Sequence, residues 1–138
     1  MIRGLMARIV ANLRRVAGVV DEGGRQGLGR RGERDAERYL KRHGYRILRR
    51  NFRAAGAEID LVAAEGGTLV FVEVKARRGL STGTPQEAVD DRKQRRIRRA
   101  AEIYVARARA HDYPVRFDVV AIRMDGEQAQ IELLKDAF

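Results

Sequence analysis

The chain has 138 residues, a net charge of +10 and no cysteine. That length allows one sizeable core and not two. The missing thiols exclude disulfide scaffolds, thiolate zinc sites and cysteine catalysis, and no apolar run approaches the ~18 residues a membrane span needs.

The expectation is a soluble, cytoplasmic protein with a polyanionic partner, because a strongly positive field attracts phosphates. Charge alone does not establish nucleic acid: all but four of the 29 basic residues are Arg, an excess that GC-rich coding also produces. His43 and His111 form no ligand spacing.

In the opening stretch MIRGLMARIVANLRRVAGVV, Ile2, Leu5, Met6, Ile9, Leu13, Val16 and Val20 fall on one helical stripe, with Arg3, Arg8, Arg14 and Arg15 largely elsewhere. This amphipathic helix reads as a packing helix or as translation from an upstream start codon, in preference to a membrane-surface segment. DEGGRQGLGRRG, residues 21–32, reads as a linker. The expected division is residues 1–28 as an N-terminal segment and 29–138 as the main domain.

Over GERDAERYLKRH the i, i+3, i+4, i+7 spacing of Glu33, Ala36, Glu37 and Leu40 predicts a helix capped by Gly44. Glu33 and Glu37 border its buried stripe, and spacing alone does not separate them. YRILRRNF reads as a strand, AAG as a bend, and residues 58–64 and 68–76 as a hairpin.

A long helix is expected to begin with Thr84 as N-cap, Pro85 at the first position and Glu87 at the third. Its inward stripe runs through Ala88, Val89, Ile97, Ala100, Ala101, Tyr104 and Ala108. Lys93 falls along that stripe, where a long side chain can also simply reach for water. The arginines from Arg92 and Arg96 onward offer phosphate contacts. VRFDVVAI and QIELL close the chain as strands, with Asp118 either a second acidic site or the partner of Arg116.

The hairpin carries the chemistry. If Gly66 and Gly67 are the centre of a two-residue turn, Glu65 pairs with Thr68, Val62 with Phe71, and Asp60 with Glu73. Glu58, Asp60, Glu73 and Lys75 then project to one side. Opposed carboxylates have Cβ atoms ~5 Å apart and repel unless neutralised; a divalent cation does that, and Mg²⁺ or Mn²⁺ fits a site of oxygen ligands with room for water and phosphate. The plainer alternative is an exposed charged face with a Glu58–Lys75 salt bridge.

GERDAERYLKRHGYRILRRNFR, EIDLVA, LVFVEVKAR, TPQEAVDDRKQRRI and RFDVVAI, together spanning residue 29 to about 134, resemble the YraN-like family of small uncharacterised proteins. That family itself resembles the PD-(D/E)xK nuclease superfamily and, within it, archaeal-type Holliday-junction resolvases. The resemblance implies an α/β, restriction endonuclease-like mixed β-sheet flanked by helices, and a metal-dependent endonuclease acting on DNA.

It also implies that Asp60 and Glu73 ligate the metal, that Glu33 sits in its outer shell, that Lys75 is the catalytic lysine, and that Lys93 and Gln94 contact substrate phosphate. One position departs: Ala57 stands where the family usually has Gly before Glu-Ile-Asp. Branched or flapped DNA and a two-fold homodimer are the further expectations, with a non-catalytic nucleic-acid-binding accessory protein as the alternative.

Overall fold

The computed structural model of the chain describes residues 28–78 and 89–138. The amphipathic helix expected over residues 1–20 and the cap expected at Thr84, Pro85 and Glu87 lie outside them.

Helix α1 spans Leu28–Arg42. The linker expected to reach residue 32 is therefore already helical from Leu28, since Leu and Arg are good helix formers and Gly32 is held against the sheet. A side chain at Gly32 would come within 2.9 Å of Ala76 Cβ. The helix stops as anticipated at Gly44, whose φ of +87° reverses the chain while Tyr45 N–H donates to the Leu40 carbonyl at 2.9 Å.

Strands β1 (Arg46–Ala54), β2 (Ala57–Glu65) and β3 (Thr68–Arg78) follow, then helix α2 (Asp91–Ala108) and strands β4 (Val115–Asp125) and β5 (Gln128–Leu134). The five strands lie in one sheet in chain order. Only β3 and β4, joined through α2, run parallel; the other neighbours are antiparallel. This is the mixed α/β sheet that the sequence pattern predicts.

The β2–β3 turn is the anticipated Gly66-Gly67 pair, at φ of +54° and +88°, as a two-residue turn requires. It sets Glu65 against Thr68, Val62 against Phe71 and Leu61 against Val72.

Helix α2 begins later than Thr84. Its N-cap is Asp90, in extended conformation, whose carboxylate accepts from Lys93 N–H at 2.8 Å. Asp is among the best residues for that task because it satisfies an otherwise orphaned donor. Val89, just ahead of the cap, is buried without being helical.

The two helices cover opposite faces of the sheet. Ala36 and Leu40 of α1 pack with Leu61, Val70, Val72, Val74, Val120 and Ile122. Ile97, Ala100, Ala101, Tyr104 and Ala108 of α2 pack with Phe52, Val62, Phe71 and Val119. The Tyr104 ring meets Phe52 and Phe71 edge-on at 5.1 and 5.7 Å, a preferred aromatic geometry.

Double coverage explains why β2 is buried almost throughout, where half-buried strands would alternate. It also puts Asp60 and Glu73 of the central strands inside the protein, not on an exposed charged face. No helix among the described residues is long and apolar enough to cross a membrane.

Candidate metal and nucleic-acid site

Asp60 is 1% exposed and Glu73 3%. Burying a carboxylate is costly unless hydrogen bonds or charges compensate it, so the partners of each are informative.

The recorded pairing of β2 with β3 ends at Leu61–Val72. At the next position Asp60 turns its carboxylate to the sheet itself, and Oδ2 accepts from the Val74 backbone N–H at 2.8 Å. The Asp60–Glu73 cross-strand pair expected from the turn is thus replaced by a fork in which Asp60 binds the residue next to Glu73.

Glu33 and Glu58 come to the same place, and one carboxylate oxygen each from Glu33, Glu58 and Asp60 lie within 4.8 Å of one another. Oxygen-only donors so placed suit Mg²⁺ or Mn²⁺; Glu73, the other expected ligand, is not among the three. Glu33 Oε1, Asp60 Oδ1 and Glu73 Oε2 are buried and accept no hydrogen bond. All three carboxylates have contacts elsewhere; these oxygens are the coordination capacity left over. The donor set fits a hard divalent cation.

Glu33 and Glu37, equivalent by spacing, separate here. Glu37 is tied to β1, where Arg50 Nε donates to its Oε2 at 2.8 Å, and Lys41 lies 3.0 Å from its Oε1. The Arg50 hydrogen bonds hold its carboxyl below the usual range. Gly32 accounts for the other acid: without a Cβ it lets the first part of α1 approach β3, and the following residue is Glu33. The Gly-Glu pair is a packing device that delivers an acid to the fork.

Glu58 is the residue the sequence reading left out of the ligand set. It forms no bridge to Lys75; its Oε2 accepts from Arg53 Nε at 3.0 Å across the β1–β2 ladder. Its place two residues before Asp60 on one strand was the available signal.

Lys75 is half-buried and, among the described residues, makes no hydrogen bond or ion pair. Lys93 reaches from the first turn of α2 to Glu73 Oε1, so it does not snorkel freely. Gln94 is also committed, its side chain donating to the Val89 carbonyl at 2.9 Å. Arg92 and Arg96 are exposed. With Lys93, Glu58, Asp90 and Ile97 they line a cleft of about 400 Å³ floored by Gly56 and Ala57.

Asp118 is fully buried on β4, in register with Val72 of β3, and belongs to a separate network. Arg116 Nε donates to its Oδ1 at 2.8 Å, Tyr45 Oη to its Oδ2 at 2.8 Å, and Asp136 N–H to its Oδ1 at 3.0 Å. The hydrogen bond to Asp118 raises the Arg116 pKa further; burial first, then Asp118, raises that of Tyr45. Of the two roles open to Asp118 in the sequence, the structure takes the partner of Arg116.

The model of the uncharacterised protein family UPF0102 matches residues 32–122. A UPF0102 protein of Rhodococcus opacus is 54% identical over 112 residues, covering 80% of this chain and 95% of its own length. One from Caldicellulosiruptor saccharolyticus is 49% identical over 113 residues, covering 80% and 96%, and one from Geobacter metallireducens is 50% identical over 111 residues, covering 80% and 91%.

Proposed function

The chain belongs to the UPF0102 family, and we propose that it is a metal-dependent endonuclease that hydrolyses phosphodiester bonds in DNA, with branched or flapped structures preferred. The observation that carries the reading is the fork: Glu33 of α1 converges with Glu58 and Asp60 of β2, and Glu33 and Asp60 each keep a buried oxygen that accepts no hydrogen bond.

Glu33, Glu58, Asp60 and Glu73 are the residues that would hold Mg²⁺ or Mn²⁺. Such an ion supplies charge neutralisation at phosphate and a more acidic bound water. The chain's own groups do the rest. The Val74 N–H fixes the Asp60 carboxylate, so that its remaining oxygen is oriented before anything binds. Lys75, two residues beyond Glu73 and uncommitted among the described residues, is placed to orient the attacking water or to stabilise charge on the phosphate. Arg92 and Arg96 on the cleft wall grip backbone phosphates, which position a nucleic acid without reading its sequence. Selectivity then comes from DNA shape, and symmetrical cutting of a junction calls for a two-fold homodimer.

One contact favours a second reading. The Lys93 ammonium already sits on Glu73, as in a nucleic-acid-binding accessory protein whose site is closed by an internal cation. Labelled duplex, flap, single-stranded and four-way substrates, incubated with the purified chain and Mg²⁺, Mn²⁺ or chelator, separate the two. The nuclease reading expects metal-dependent cleavage, strongest on branched substrates, and a loss of about 10³ in rate for Lys75→Ala with DNA affinity retained. Tight binding with no cleavage under any metal supports the accessory protein instead.

A further inference from the structure

The Lys93–Glu73 contact has a structure of its own. Glu73 is nearly sealed from solvent; one of its oxygens meets the Lys93 ammonium and the other, Oε2, is buried without a hydrogen-bond partner. Lys93 is anchored at the backbone by the Asp90 cap, but its side chain keeps 38% exposure and borders the cleft beside Arg92 and Arg96. One end of this ion pair is therefore fixed and buried, and the other is mobile by chemistry, standing between an acid site and a basic wall.

Resting on the metal-centre reading, we infer that Lys93 is a positioning residue that exchanges partners. It neutralises Glu73 while the metal site is empty and passes to a backbone phosphate in the cleft when a divalent cation takes Glu73.

The physical chemistry requires the exchange. A buried carboxylate stripped of its counter-charge is strongly unfavourable, so the metal-free protein needs Lys93 on Glu73. A divalent cation on the same carboxylate replaces that charge and repels an ammonium close by. Released, Lys93 has a four-carbon stem and the cleft in front of it, where Arg92 and Arg96 already favour phosphate. Metal and polyanion then assist each other's binding, and the assistance is reciprocal because each is linked to the same lysine.

The test is Mn²⁺ titration of the full chain by calorimetry without nucleic acid, with thermal melts alongside, on wild type, Lys93→Met and Lys93→Gln. Removing the competing cation should tighten Mn²⁺ binding about tenfold or more. Both variants should melt lower than wild type without metal and recover more on adding Mn²⁺ than wild type does. A labelled oligonucleotide should tighten Mn²⁺ binding in wild type and do so much less in Lys93→Met.

Unchanged or weaker Mn²⁺ affinity in both variants overturns the exchange while leaving the metal centre standing. Absence of Mn²⁺ binding in wild type and variants alike, with or without the oligonucleotide, overturns the metal centre and the exchange together. Recovery of the melt distinguishes a variant that is merely destabilised, since a purely structural lysine gives no Mn²⁺-specific rescue.

Discussion

Two groups of carboxylates are buried in one sheet and treated differently. Asp118 on β4 is saturated: Arg116 supplies two donors, Tyr45 a third and the Asp136 backbone a fourth. Glu33, Asp60 and Glu73 each keep one buried oxygen that receives no hydrogen bond. Protein interiors satisfy nearly all buried polar atoms. A saturated carboxylate is thus accounted for by folding, and a cluster with capacity left over points to something that binds. The contrast yields predictions that the two groups must meet in opposite ways.

The largest effect is expected at the unsaturated group. Asp60→Asn keeps an oxygen to accept from Val74 N–H, so the fold should melt within a few degrees of wild type. Cleavage should fall by at least 10³, about 4 kcal/mol in activation free energy. A large drop in melting temperature with a matching loss of activity would make Asp60 another Asp118.

The mirror image is Asp118→Ala. Removing it leaves Arg116 and Tyr45 without their shared acceptor, and breaking a buried pair from one side costs about 3 kcal/mol or more. Denaturant unfolding should show that loss while metal affinity per folded molecule stays unchanged.

Gly32→Ala probes the approach that connects fold to site. The new methyl would meet Ala76 Cβ, and overpacking of this kind costs about 1–2 kcal/mol. Metal affinity should weaken along with stability, because α1 carries Glu33. Equal stability and affinity would separate the glycine from the acid that follows it.

The smallest effect concerns Glu37, the acid that spacing alone cannot tell from Glu33. Arg50, followed by Lys41, lowers its pKa below the ordinary carboxylate value. A depressed carboxylate stabilises the fold above the unfolded-state pKa, and that stability is lost as pH falls through the folded one. Wild type should therefore melt above Glu37→Gln at pH 7, with the gap closing in acid. A gap that persists at low pH would assign it to packing.

The fold was legible where local rules act alone. Two glycines after Glu65 set the hairpin register, Gly44 ended α1, and helical spacing marked the buried face of α2. Thr84-Pro85-Glu87, which satisfies the local cap rules, lies outside the described residues; the cap observed on α2 is Asp90, which no spacing rule set apart.

The site was legible as residue types and only partly as geometry. Register arithmetic placed Asp60 opposite Glu73 and could not foresee that Asp60 would bond the strand and open a fork. Periodicity gave Glu33 and Glu37 the same face; what parted them was Arg50 on a strand ten or more residues away and the contact at Gly32. Lys93 was visible on the apolar stripe, but its partner is set by the packing of α2 on β3 and no spacing rule reports it.

The central claim is that the fork formed by Glu33, Glu58, Asp60 and Glu73 is a divalent-cation centre, and calorimetric titration of wild type and Asp60→Asn with Mn²⁺ tests it most directly. The account predicts saturable binding by wild type and at least a hundredfold weaker binding by the variant, with both proteins folded. Equal affinity in the two, or no binding by wild type even with DNA present, would contradict it.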